Sequence, residues 1–109
     1  MREILFRAKC KLKGKWMYGY YRVSGGKHYI NSTKVYENTV GQFTGSTGKN
    51  GTKIFEGDLF NFNKEGLYEV IFSRQYGFIM RSLSNPNHWV PVAHYKHLEP
   101  VGTIYEGEV

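Results

Sequence analysis

The chain has 109 residues, and fifteen Lys and Arg against nine Asp and Glu leave a net charge of +6. This length supplies one domain, burying roughly two-thirds of its unfolded surface around an aromatic-rich core, without a deep, separately walled cavity. No run of about eighteen apolar residues could span a membrane, the N-terminus has no apolar leader, and the lone Cys10 excludes a disulfide framework or thiolate zinc knuckle.

The elements read as β almost throughout. Ile4, Phe6, Ala8, Cys10 and Leu12 alternate with Arg7, Lys9, Lys11 and Lys13, which predicts a strand with one buried face. Gly14 marks a turn, and residues 16–23 read as a second strand. Ser24-Gly25-Gly26-Lys27 is a tight-turn signature, with the return strand starting at His28. Asn50-Gly51 is a turn dipeptide whose residues both tolerate positive φ. Glu56-Gly57-Asp58 reads as a sharp corner feeding a strand over 58–63, in which the carboxylate accepts backbone N–H bonds. Lys64-Glu65-Gly66 turns the chain into a strand over 67–72, and Gln75–Met80 continues the meander. Ser84–Asn87 is a loop, Trp89–Val92 and Val101–Tyr105 are short terminal strands, and Ala93–Leu98 has room for a helical turn. Many short strands at close spacing predict an all-β fold, a small β-barrel or a pair of curled sheets.

Thr39–Gly45, Asn50-Gly51 and the Ile54–Asp58 corner form the most patterned stretch. Together with Met1–Ile4, Phe6–Ala8 and the closing Gly102–Glu106, it resembles the YopX-like proteins of bacteriophages and prophages. The resemblance covers residues 1–109 as a single domain. It implies an SH3-like barrel in the C-terminal half (39–109), an N-terminal β-hairpin region (1–36) and a phage or prophage origin. It supplies no catalytic residue. The run Ala8-Lys9-Cys10-Lys11-Leu12-Lys13-Gly14-Lys15 departs from the family's usual mixed-charge pattern, so the lysines are this chain's own addition.

The charge is uneven, +8 over residues 1–34 and −2 over the remainder. Crowded like charge suggests an anionic partner, although a solvated, aggregation-resistant surface has the same composition. Lys9, Lys11, Lys13 and Lys15 share one parity, and Trp16, Tyr18, Tyr20 and Arg22 share another, with Lys27 nearby. Lysines for phosphates beside rings for bases is the arrangement of single-strand nucleic-acid binders. The competing readings are edge-strand lysines that block sheet pairing and rings that are simply core. Docking on an acidic protein surface uses the same charge.

Other constellations fall short. Gly48-Lys49 lacks a phosphate loop's first Gly, replaced by Phe43, and the following Ser or Thr, replaced by Asn50. His94 and His97 are spaced as a metal pair, with His88 nearby, but no third and fourth ligands are well placed. No Ser-His-acid, Cys-His or paired-carboxylate set can be assembled, so neither catalysis nor a cofactor is expected. The expected function is a cytoplasmic, non-enzymatic binding protein of phage type. It would act as an inhibitor or modulator of host nucleic-acid-handling or defence machinery, of the anti-CRISPR kind, through a basic aromatic face. The alternatives are a direct single-stranded DNA or RNA binder and a self-associating structural protein.

Overall fold

The computed structural model describes residues 4–95 and 98–105. Among them there is no α-helix; twelve strands and three 3-10 turns form two compact units that divide between Phe43 and Thr44.

In the first unit, β1 (Phe6–Lys9) pairs antiparallel with β2 (Trp16–Gly19). Phe6 and Ala8 turn inward, as their parity predicts, onto a core of Ala8, Ile30 and Val35 lined by Met17, Tyr21 and Val40. The predicted strand over 4–12 nevertheless ends at Lys9. Cys10 O accepts from Gly14 N at 2.8 Å, and Cys10 N donates to Lys15 O at 2.8 Å. Gly14 adopts φ 66° to close this turn, so Lys11–Lys13 leave the strand and Leu12 is 89% exposed. Alternation alone could not reveal the reversal, because Cys10 keeps its inward parity through a bridge to Val35.

The predicted second strand is also two. Beyond Gly19 the chain breaks at Tyr20, where Asn31 Oδ1 accepts from Tyr20 N at 3.1 Å and Tyr20 O accepts from Asn31 N at 2.8 Å. Past this kink, β3 (Tyr21–Ser24), β4 (Lys27–Ile30) and β5 (Thr33–Lys34) form a separate three-stranded sheet. Its first hairpin turns on Gly25 and Gly26, both at positive φ, as predicted. Thr39, fully buried in a 3-10 turn over Glu37–Thr39, accepts from Lys9 N at 2.8 Å and donates to Tyr36 O at 2.7 Å.

β6 (Gly41–Thr47) pairs with β1 at its start and continues into the second unit beside β7 (Lys53–Phe55). There, β8 (Asp58–Asn61), β9 (Leu67–Ser73), β10 (Gly77–Ser82) and β11 (Trp89–Pro91) run as a meander. The last strand, β12 (Gly102–Thr103), returns beside β8, giving a curled sheet ordered β11-β10-β9-β8-β12. Tyr68, Val70 and Met80 lie on its inner face with Ile54, Phe60 and Val92. Each such large side chain contributes about 1.5–3 kcal/mol by leaving water. The corner is built as predicted: Asp58, 3% exposed, accepts from Phe55 N at 2.9 Å through Oδ2. The helical turn expected within 93–98 is a 3-10 turn over Val92–Tyr95.

Candidate functional site

The register of β1 and β2 sets Arg7 opposite Tyr18 and Lys9 opposite Trp16, so these four share the face away from the core. The Arg7 guanidinium lies 4.5 Å from the Trp16 ring centroid and the Lys9 ammonium 5.4 Å from it. Both cations are buried. Lys9 is therefore not the first tooth of a solvent-facing lysine comb; it lies along a half-buried ring. Lys11 and Lys13 sit in the turn and Lys15 just beyond it, all exposed. The single row expected of Lys9, Lys11, Lys13 and Lys15 does not form, because the strand that would have aligned them ends. Nor do Trp16, Tyr18, Tyr20 and Arg22 form one row. Tyr20 is at the kink, 77% exposed, and Arg22 belongs to the next sheet.

A second cationic face forms on the three-stranded sheet. Tyr21 and Ile30 point to the core, which puts Arg22, Lys27, Tyr29 and Lys34 on the outer side. Arg22 stands opposite Tyr29, with its guanidinium 4.3 Å from the ring centroid, and Tyr29 stands opposite Lys34. Lys27 lies diagonal to Lys34, a spacing that long side chains bridge. Lys11 is drawn in from the turn: its N–H donates to Lys34 O at 3.1 Å, and its ammonium lies 5.8 Å from the Tyr36 ring.

These cations are crowded. A hydrogen bond from Lys27 that only a neutral Lys34 amine can accept, and then the Lys27 charge, push the Lys34 pKa below the usual lysine value; desolvation and Lys11 add to the effect. Among the described residues, no carboxylate lies within ion-pair distance of Lys11, Arg22, Lys27 or Lys34. The structure thus joins Lys11, Arg22 and Lys27 from the expected set and adds Lys34 and Tyr29. Lys34 was visible only as part of the charge excess. Its place beside Lys27 depends on the β4–β5 register, which residue spacing does not disclose.

Other side chains answer the remaining expectations. Tyr21 Oη and His28 Nδ1 lie 2.6 Å apart, and His28 Nε2 lies 3.4 Å from Glu37 Oε2. This is a His-acid contact that sequence spacing did not assemble. Its third member is a tyrosine packed against the core, so it braces the hairpin. The turn over 48–52 is held by Glu99, whose carboxylate accepts from Asn50 N at 2.7 Å and from Thr52 Oγ1 at 2.8 Å. A carboxylate already occupies the position from which a phosphate loop would bind its anion. Among the described residues, no group of three His, Cys, Asp or Glu could hold a metal, and His97 of the expected pair lies outside them. No helix among the described residues is long and apolar enough to cross a membrane.

A family model described as YopX protein matches residues 11–108, nearly the whole chain. The chain belongs to the YopX family. No curated protein matches it. The match to the YopX model spans both compact units and includes Lys11, Arg22, Lys27 and Lys34; Arg7 and Lys9 precede it. The Asp58 corner and the Gly51 turn, two of the motifs that carried the resemblance, are both backbone devices in this YopX chain. Neither contributes to the cationic face.

Proposed function

We propose that this YopX protein is a binding protein whose working surface is the outer face of β3–β5, completed by Lys11. It docks there on an acidic surface of a partner protein. The observation that carries this reading is the set of four cations with no carboxylate partner among the described residues. Repulsion among them is relieved when a partner brings carboxylates, and their long-range field steers the encounter. A phage-encoded, cytoplasmic inhibitor or modulator of host nucleic-acid-handling or defence machinery, anti-CRISPR-like in action and not itself an enzyme, fits such a surface. Support for a protein target over a nucleic acid comes from the rings. Tyr29, Tyr36 and Trp16 each carry a cation over the ring, where an unstacked base would lie.

A second reading, single-stranded DNA or RNA binding, draws support from Tyr18 and Tyr20, which are 51% and 77% exposed. Affinity capture from host lysate, with and without nuclease and across a salt series, separates the two. A stoichiometric partner that survives nuclease, weakens with salt and is lost when Lys11, Lys27 and Lys34 are changed to Glu supports acidic-surface docking. Loss on nuclease treatment moves the function to nucleic acid. Capture indifferent to the triple reversal refutes the cationic face altogether.

A further inference from the structure

A cleft of about 320 Å³ opens in the second unit between the 3-10 turn over Asn63–Glu65 and the loop that follows β10. Its volume is at the lower end for small-ligand sites, enough for a single ring rather than a polymer segment. Tyr68, 1% exposed, forms the floor and donates its hydroxyl to Glu65 Oε1 at 3.1 Å. His88 Nε2 lies 3.5 Å from the same oxygen. On the opposite wall Ser82 Oγ, buried, accepts from Asn85 N at 3.1 Å and lies 3.1 Å from Ser84 Oγ.

The groups left over define the ligand. Among the described residues, the Lys64 ammonium and Glu65 Oε2 have no hydrogen-bond partner, and Ser84 Oγ meets only Ser82. Lys64 and Glu65 cancel in charge, so a net anion meets Glu65 and a net cation meets Lys64. Tyr68 offers a flat aromatic ligand no platform, because Phe62 stacks on it at 4.3 Å and His88 approaches it edge-on at 5.9 Å. What remains is a small molecule that is neutral, compact and both donor and acceptor at several points. Hydroxyl groups on a saturated ring meet that description, donating to Glu65 and accepting from Lys64 and Ser84.

We propose that this cleft binds a neutral polyhydroxylated ring, a monosaccharide or the terminal sugar of a glycan. The site is independent of the cationic face on the first unit. The test is an NMR titration of the isotopically labelled full chain with the methyl glycosides of glucose, galactose, mannose and N-acetylglucosamine. Glycine and inorganic phosphate serve as zwitterionic and anionic comparison probes. The expected result is saturable shifts at Ser84, Asn85 and His88 with at least one glycoside. Glu65→Ala should weaken that binding about tenfold or more, since sugar hydroxyls lose their charged acceptor. Glu65→Ala also leaves the Tyr68 hydroxyl without its acceptor, so a retained cooperative melting transition, not an unchanged midpoint, checks that the variant folds. The triple reversal of Lys11, Lys27 and Lys34 should leave the glycoside shifts intact. No saturable shift with any glycoside, equal binding by Glu65→Ala, or binding of glycine or phosphate alone would overturn the assignment.

Discussion

Gly57 sits where three constraints meet, and replacing it with alanine measures how far the Glu56-Gly57-Asp58 corner is determined by the backbone. Its φ is 91°, and leaving glycine at such an angle costs an L residue about 1–2 kcal/mol. A Cβ there would lie 2.7 Å from Tyr105 Cε2. The chain cannot slide away easily, because Gly57 N donates to Val70 O and Gly57 O accepts from Ile104 N, both at 2.9 Å. Crowding of this kind adds about 1–3 kcal/mol, so Gly57→Ala should cost about 2–5 kcal/mol in all. In thermal unfolding followed by circular dichroism, that is a fall of about 8 °C or more. Two comparisons separate the contributions. Gly51→Ala, at φ 82° with nothing within 4 Å of the new Cβ, should lose only the backbone part, about 1–2 kcal/mol. In a Tyr105→Leu background, Gly57→Ala should shrink toward that same value. If Gly57→Ala is no worse than Gly51→Ala, the packing argument for the corner is wrong.

Three further outcomes follow from single contacts. Asp58→Ala removes the carboxylate that accepts from the buried Phe55 N–H and should cost about 1–3 kcal/mol in urea unfolding. Asp58→Asn, which keeps an acceptor oxygen, should recover most of that loss, and equal losses would show that the hydrogen bond is not what holds the corner. Thr39→Val removes both the acceptor for Lys9 N and the donor to Tyr36 O and should cost about 1–3 kcal/mol, read by the same unfolding curve. A neutral result would mean that the 3-10 turn does not pin β1. Burial pushes the Glu69 carboxyl above the ordinary glutamate range, with Arg81 opposing it only in part. A raised pKa means that folding disfavours the carboxylate. Its favourable contribution is complete below the ordinary glutamate pKa and is lost as pH rises through the raised one. Glu69→Gln should therefore gain on the wild type across that window and be the more stable at neutral pH; a less stable variant at neutral pH refutes the sign.

Where local chemistry decided the geometry, the residues announced it. Gly25-Gly26 can form a two-residue hairpin turn because both accept positive φ, and Asp58 caps its corner from three residues away. The inward parity of Phe6 and Ala8 was equally legible, because one sheet face must leave water. The cationic face was legible only in part. The charge excess named Lys11, Arg22 and Lys27, but the parity rule that aligned Lys9 with Lys11, Lys13 and Lys15 assumed an unbroken strand. A hydrogen bond from Gly14 to Cys10 ended it, and nothing in the alternation of residues 4–12 reports that bond. The same holds at Tyr20, where Asn31, eleven residues away, captures the backbone and sends β2 and β3 to different sheets.

By itself, then, the sequence determined an all-β chain, its tight turns, the Asp58 corner and a first third that is strongly basic. These follow from φ preferences, side-chain alternation and charge, which act over a few residues or none. Tertiary structure alone decided which cations share a face. It buried Arg7 and Lys9 against Trp16 and set Lys27 diagonal to Lys34 across β4 and β5. It also brought Glu65 to His88 across a cleft. Each of those pairings depends on strand register or on contacts between distant segments, and a hydrogen bond made across the fold can override the periodicity of the chain on either side of it.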